Sequence, residues 1–149
     1  MPIMMSMKKE YLDLVRSGDK RIEFRKRWNP IYKGLVFIYE SGPESRHKVV
    51  AMFRTEGATR YDPKTGITDA VYECSRKTRY TTFDVECIVS KKEPVWLVPI
   101  IDFVEARVDM TLKEFSDKYR LDPQLVTPPQ SWTYIKQKQQ TKATKRRQK

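Results

Sequence analysis

The six-residue run Leu35–Glu40, LVFIYE, constrains the fold more than any other part of the chain. It is nearly all apolar, and the turn Ser41-Gly42-Pro43-Glu44-Ser45 ends it. A strand of that kind is covered on both faces, so it belongs in the middle of a sheet. Other segments read as its neighbours: Pro2–Met7, Arg21–Arg25, Val49–Thr55, Phe83–Val89 and Trp96–Val104. In Arg21–Arg25 the alternation is clear. Ile22 and Phe24 face one way, and Arg21, Glu23 and Arg25 the other. Pro94 and Pro99 put the last two strands near an edge or a bulge.

Helix signals are fewer. Ser6 is placed to cap a helix from Met7 to Ser17, with Tyr11, Leu14 and Val15 on one face and Gly18 in the left-handed position after its end. Thr111 and Glu114 form a capping box for a helix to Tyr119 that aligns Leu112, Phe115 and Tyr119. Thr127-Pro128-Pro129-Gln130 predicts a last helix carrying Trp132 and Ile135. The polar stretch 61–81, with its turn Asp62–Gly66, is either a long loop or holds a short helix over Asp69–Arg76. Five to six short strands flanked by short helices give an α+β, mainly β class, and the expected architecture is a small, mostly antiparallel barrel. No repeat or linker divides it, so residues 1–135 are read as one domain.

Charge separates the rest. The chain has 149 residues and a formal charge of +11. Residues 136–149 hold Lys136, Lys138, Lys142, Lys145, Arg146, Arg147 and Lys149 and no acid, which leaves +4 for residues 1–135. With Gln and Thr between those cations, the segment cannot bury enough to order itself and is expected to be a disordered basic tail. Each cation that neutralises a phosphate releases a counterion, so such an arm strengthens binding to nucleic acid without regard to sequence. Two cysteines, Cys74 and Cys87, are too few for a secreted disulfide scaffold. No apolar run approaches the length of a membrane span, and the N-terminus is too soon polar for a signal peptide. A reducing, cytoplasmic location with no membrane partner is the expectation.

The residues that point to a function lie between 18 and 25. Gly18-Asp19-Lys20-Arg21-Ile22-Glu23-Phe24-Arg25 has the form G-x-K-x-x-E-x-R, directly after a helix and with the strand Arg21–Arg25 inside it. With the helix KKEYLDLVRSG before it and LVFIYE after it, the chain resembles the ASCH family. The resemblance implies a PUA-like β-barrel and a ligand cleft at the motif. It also implies a link to RNA binding, with ribonuclease and acetylcytidine amidohydrolase activities among relatives. In the amidohydrolase branch a lysine, a threonine and a distant glutamate carry the reaction. Lys20 matches the lysine, but Glu23 stands where the threonine would be, and either Glu73 or Glu86 could be the distant acid. A carboxylate does not replace a hydroxyl nucleophile, which counts against the same route.

Within the strand Glu23 and Arg25 share a face. Lys20 has the wrong parity to join them unless the turn after Gly18 re-aims it. A carboxylate between two cations can hold a phosphate or read a base edge. The same triplet could equally pair off on a solvated sheet face.

Two patches interleave cations with rings: Arg25-Lys26-Arg27-Trp28 and Arg76-Lys77-Thr78-Arg79-Tyr80. Single strands bind by stacking on such rings in a positive groove, although Trp28 and Trp132 could instead be core residues. The candidate ligand-binding set is therefore Gly18, Lys20, Glu23, Arg25, Lys26, Arg27, Trp28, Arg76, Lys77, Arg79 and Tyr80. Lys20 and Glu23 are the catalytic pair if the protein is an enzyme. His47, the one histidine, lies in a turn-like stretch, and the cysteines lack metal-ligand spacing, so neither a metal nor a cofactor is expected. RNA or single-stranded nucleic acid is the expected partner, with a protein partner left open.

Overall fold

The computed structural model describes residues 1–66, 71 and 77–139. The expected helix over 69–76, Arg76 itself and residues 140–149 lie outside the described residues, as do Glu73 and Cys74.

Among the described residues, eight strands and three helices follow in the order β1 (Ile3–Lys8), α1 (Lys9–Ser17), β2 (Ile22–Arg25), β3 (Lys33–Ser41), β4 (Val49–Glu56), β5 (Thr59–Tyr61), α2 (Thr82–Ser90), β6 (Val95–Pro99), β7 (Ile101–Met110), α3 (Leu112–Lys118) and β8 (Trp132–Tyr134). The mixed, mainly β class is as expected. The barrel is not. The strands form two sheets, one in the order β7-β4-β3-β1-β8 and one in the order β2-β6-β5. The pairing cannot run on around a cylinder. β8 and β5 are three-residue edges, and the chain leaves one sheet for the other between β6 and β7.

LVFIYE lies in β3, the middle strand of the larger sheet. From Val36 to Glu40 both of its faces are covered, while Leu35 stays exposed. Val36 and Ile38 join Ile3, Met5, Leu12 and Phe53 in one core cluster, while Phe37 and Tyr39 pack with Met4, Leu112 and Phe115 in another. The first cluster also takes Val98 and Ile100, so it fills the space between the two sheets. A third, with Ile22, Ile88 and Leu97, lies between the small sheet and α2.

Four local readings are corrected by this structure. Ser6 does not cap α1 but lies within β1. Lys8 holds the cap position without a side-chain bond, and the helix buries Leu12 and Val15 while Tyr11 stays exposed. Gly18 does end the helix, at φ 83°. Phe83–Val89 is helix rather than strand. Its β-branched residues lose to a capping box in which Thr81 accepts from the Asp84 N–H and Asp84 accepts from the Thr81 N–H. Trp96–Val104 is two strands. The Ile100 N–H still bonds the Arg21 carbonyl at 2.9 Å, in the register of β6 with β2, and from Ile101 the chain pairs with β4 in the other sheet. Finally, Thr127–Gln130 starts no helix. β1 needs partners on its outer edge, and β8 supplies them through the antiparallel pairs Ile3–Tyr134 and Met5–Trp132. Residues 136–138 run beside 120–122, where the Lys136 carbonyl accepts from the Asp122 N–H at 2.8 Å.

The Thr111–Glu114 box forms as expected at α3. Thr111→Ala should cost about 1 kcal/mol, read as a lower urea midpoint at unchanged slope. An unchanged midpoint would contradict the cap assignment.

Candidate functional site

The site begins where α1 ends. Past Gly18, the Lys20 N–H donates back to the Leu14 carbonyl at 3.0 Å, so the chain turns sharply before β2. Asp84, fully buried at the start of α2, holds that turn from the other side. Its carboxylate accepts from the N–H groups of Arg21 (3.1 Å), Ile22 (3.2 Å) and Thr81 (3.1 Å). This turn aims Lys20 toward Glu23. Its ammonium points inward, donates to the Ile22 carbonyl at 2.6 Å, stands 3.3 Å from Glu23 Oε1 and lies 4.8 Å from the centre of the Phe24 ring.

Glu23 is the middle of the cluster. Oε1 accepts from the Phe24 N–H at 3.0 Å, and Oε2 accepts from Arg25 Nη2 at 3.0 Å. Burial by itself would push this carboxyl up. The charges of Lys20 and Arg25, together with the bonds from Arg25 and the Phe24 N–H, overcome that and hold it below its ordinary value of 4.5. A carboxylate is thus kept ionised where water is mostly excluded.

Arg25 is committed to structure. Nη1 donates to Ser131 Oγ at 2.9 Å, and Nη2 donates to the Ser6 carbonyl at 2.8 Å as well as to Glu23. The guanidinium staples β2 to β1 and to the segment before β8. Ser6 adds a second tie, its hydroxyl donating to the Pro129 carbonyl at 2.6 Å.

These ties surround a cavity of about 820 Å³. Glu23 and Arg25 line it, with Lys8, Tyr11, Lys26 and Arg27 also in its wall. Lys20 does not. It stands behind Glu23. Lys26 and Arg27 are exposed, and both also line an adjoining cavity of about 480 Å³. Trp28 is buried in the core between the sheets and borders that second cavity. The other patch is not brought to this place. Lys77, Arg79 and Tyr80 line neither cavity, and Tyr80 packs on the cluster under α2.

Of the two glutamates that might have completed an amidohydrolase set, Glu86 is exposed on α2 and lines neither cavity. His47 is exposed in a turn at φ 54°. Cys87 is a free thiol that burial pushes up. Among the described residues no group of three or more His, Cys, Asp or Glu is placed to hold a metal ion, and no helix is long and apolar enough to cross a membrane.

Sequence reasoning missed Asp84, Ser131 and Ser6. The box Thr81-x-x-Asp84 was a usable signal for the first. The others depend on β8 lying beside β1, which nothing local announces.

The ASCH domain family model matches residues 5–121. No curated protein matches the chain. Among solved structures, the ASCH crystal structure from Zymomonas mobilis is 19% identical, with a TM-score of 0.60, covering 91% of this chain and 87% of that one. A tyrosine-to-phenylalanine mutant of the same protein is 18% identical at a TM-score of 0.60, covering 91% and 90%. At such identity the likeness is one of fold.

Proposed function

Because the chain belongs to the ASCH domain family, we propose that it is a nucleic-acid binding module that takes an RNA strand in the Glu23 cavity. The observation that carries this reading is the ionised, buried Glu23 at a cavity whose rim presents Lys8, Lys26 and Arg27. A fixed carboxylate accepts from a base amine, and exposed cations meet phosphates. Glu23 Oε2 carries one protein bond, from Arg25, and so keeps acceptor capacity for a ligand. The basic residues from Lys142 to Lys149 add salt-dependent affinity that ignores sequence. A cytoplasmic setting fits such a role.

A hydrolase built on Lys20 and Glu23 is the alternative. Their 3.3 Å separation suits proton exchange, but catalysis needs both groups at the substrate. Lys20 lies behind Glu23 and already donates to a backbone carbonyl, so the geometry favours binding.

The test is fluorescence anisotropy with labelled RNA over a salt series. Affinity should fall steeply as salt rises. Substituting both Lys26 and Arg27 by Gln should lower the log–log slope by about 0.7 for each phosphate the pair neutralises on a single strand. Ending the chain at Gln139 should weaken all sequences alike. Glu23→Gln should weaken binding at fixed salt and leave the slope unchanged. Native protein that shows no salt-sensitive RNA affinity would sink the reading, and cleavage of RNA or deacetylation of acetylcytidine would turn it toward the alternative.

A further inference from the structure

All three tryptophans of the chain converge on one place. Trp28 follows β2, Trp96 lies in β6 and Trp132 opens β8, yet all three line the smaller cavity, together with Tyr134. Trp28 and Trp132 have ring centres 5.2 Å apart, and Trp132 meets Tyr134 edge-on at 5.5 Å. The Trp132 indole N–H donates to the Arg27 carbonyl at 2.9 Å, which fixes that ring. Burial is graded across the group. Trp28 is 6% exposed, Trp96 and Trp132 are intermediate, and Tyr134 is 37% exposed. Trp96 and Trp132 pack against the core from one side, while Tyr134 is exposed. The outer ones leave apolar faces open at the edge of a positive surface.

The two cavities share a wall. Lys26, Arg27 and Trp132 belong to both. At about 480 Å³ the second is a shallow, open depression, a shape suited to stacking a base rather than enclosing it. Its lining of rings and cations is what a base and its phosphate require, since every base offers a π-face and stacking is tolerant of sequence. The cations stand on the divide, where a phosphate joining two nucleotides has to cross.

We infer that the tryptophan-lined cavity is a second nucleotide subsite. The ligand is then a single strand of at least two nucleotides, with one base by Glu23, the next on the Trp132–Tyr134 rings and the linking phosphate over Lys26 and Arg27. A free nucleoside or mononucleotide fills only half the site. This inference rests on the nucleic-acid reading above and goes beyond it, because that reading holds equally for a single-base pocket.

The test uses tryptophan emission from the full chain. Since every tryptophan lines the proposed subsite, stacking there should quench the signal. The titrants are adenosine 5′-monophosphate, the dinucleotide ApA, and ten-nucleotide strands of randomised sequence in RNA and in DNA. The dinucleotide should bind about tenfold or more tightly than the mononucleotide, in keeping with one added base stack. Tyr134→Ala should abolish that tenfold gain. Tyr134→Phe, which keeps the ring and loses only the bond from Asn29, should retain the gain. Circular dichroism establishes that each variant is folded. Should mononucleotide and dinucleotide bind equally, or Tyr134→Ala keep the gain, the subsite is refuted while the first cavity stands. Should neither ten-nucleotide strand bind, the nucleic-acid reading fails and the subsite fails with it. Binding of RNA with rejection of the DNA strand supports both and assigns the ribose hydroxyl a part.

Discussion

Lys20→Met is expected to destabilise the protein by about 3–5 kcal/mol, the usual cost of breaking a buried ion pair by removing one partner. The ammonium is 4% exposed, and it both faces Glu23 and donates to the Ile22 carbonyl. Without it Glu23 keeps its desolvation and loses the largest charge that opposes it. Glu23→Gln should cost less, because the amide keeps the shape and removes the buried charge, although its one oxygen can accept from only one of Arg25 and the Phe24 N–H while its nitrogen faces the other donor. The double variant, Lys20→Met with Glu23→Gln, should be more stable than the sum of the single losses allows, by about 1–3 kcal/mol of coupling.

The pH dependence has a definite sign. Glu23 has its carboxyl lowered on folding, so its contribution is full above the unfolded value, near 4.5, and fades as pH falls through the lower folded value. Lys20→Met removes the main cause of that lowering and leaves burial to act the other way. The acid-side loss of stability should therefore flatten in the variant. Urea unfolding between about pH 3 and pH 7 decides it. Parallel curves for native and Lys20→Met protein would mean that the pair contributes nothing specific.

What was legible in advance divides by distance along the chain. The shared face of Glu23 and Arg25 follows from strand periodicity, and the end of α1 at Gly18 follows from one residue's freedom to take positive φ. The burial of this run on both faces from Val36 onward was equally local, since an unbroken apolar run has little face to give to water, although Leu35 at its start stays exposed. By contrast, the inward turn of Lys20 is imposed by Asp84 from a helix more than sixty residues later. Trp132 shows the same dependence. Its neighbourhood carries capping chemistry for a helix, but β1 has an edge to satisfy and takes residues 132–134 as a strand. Local preference of a few tenths of a kcal/mol per residue yields to a row of hydrogen bonds that would otherwise be buried unmade. Closure of the sheets depends on pairings between both ends of the chain, so periodicity carried no information about it.

Asp84→Ala is the second large effect, at about 4 kcal/mol. The Arg21, Ile22 and Thr81 N–H groups that converge on this carboxylate would lose their partner, in a place with little access to water, and an unmet buried donor costs about 1–3 kcal/mol. The capping box of α2 goes at the same time. The damage should also be felt at a distance. The turn that aims Lys20 loses its clamp, so Glu23 should lose part of its support and RNA affinity should fall with stability. Asp84→Asn should lie between, because one amide oxygen still accepts while the amide nitrogen faces donors. Thr111→Ala is the internal control. It breaks the same kind of box at α3 with no tie to the motif, and should cost about 1 kcal/mol with binding unchanged. Amide exchange supplies the residue-level reading: protection at Arg21 and Ile22 should collapse in Asp84→Ala and survive in Thr111→Ala. If the two alanine variants unfold at the same urea concentration with those amides still protected, Asp84 is only a helix cap, and the placing of Lys20 needs another cause.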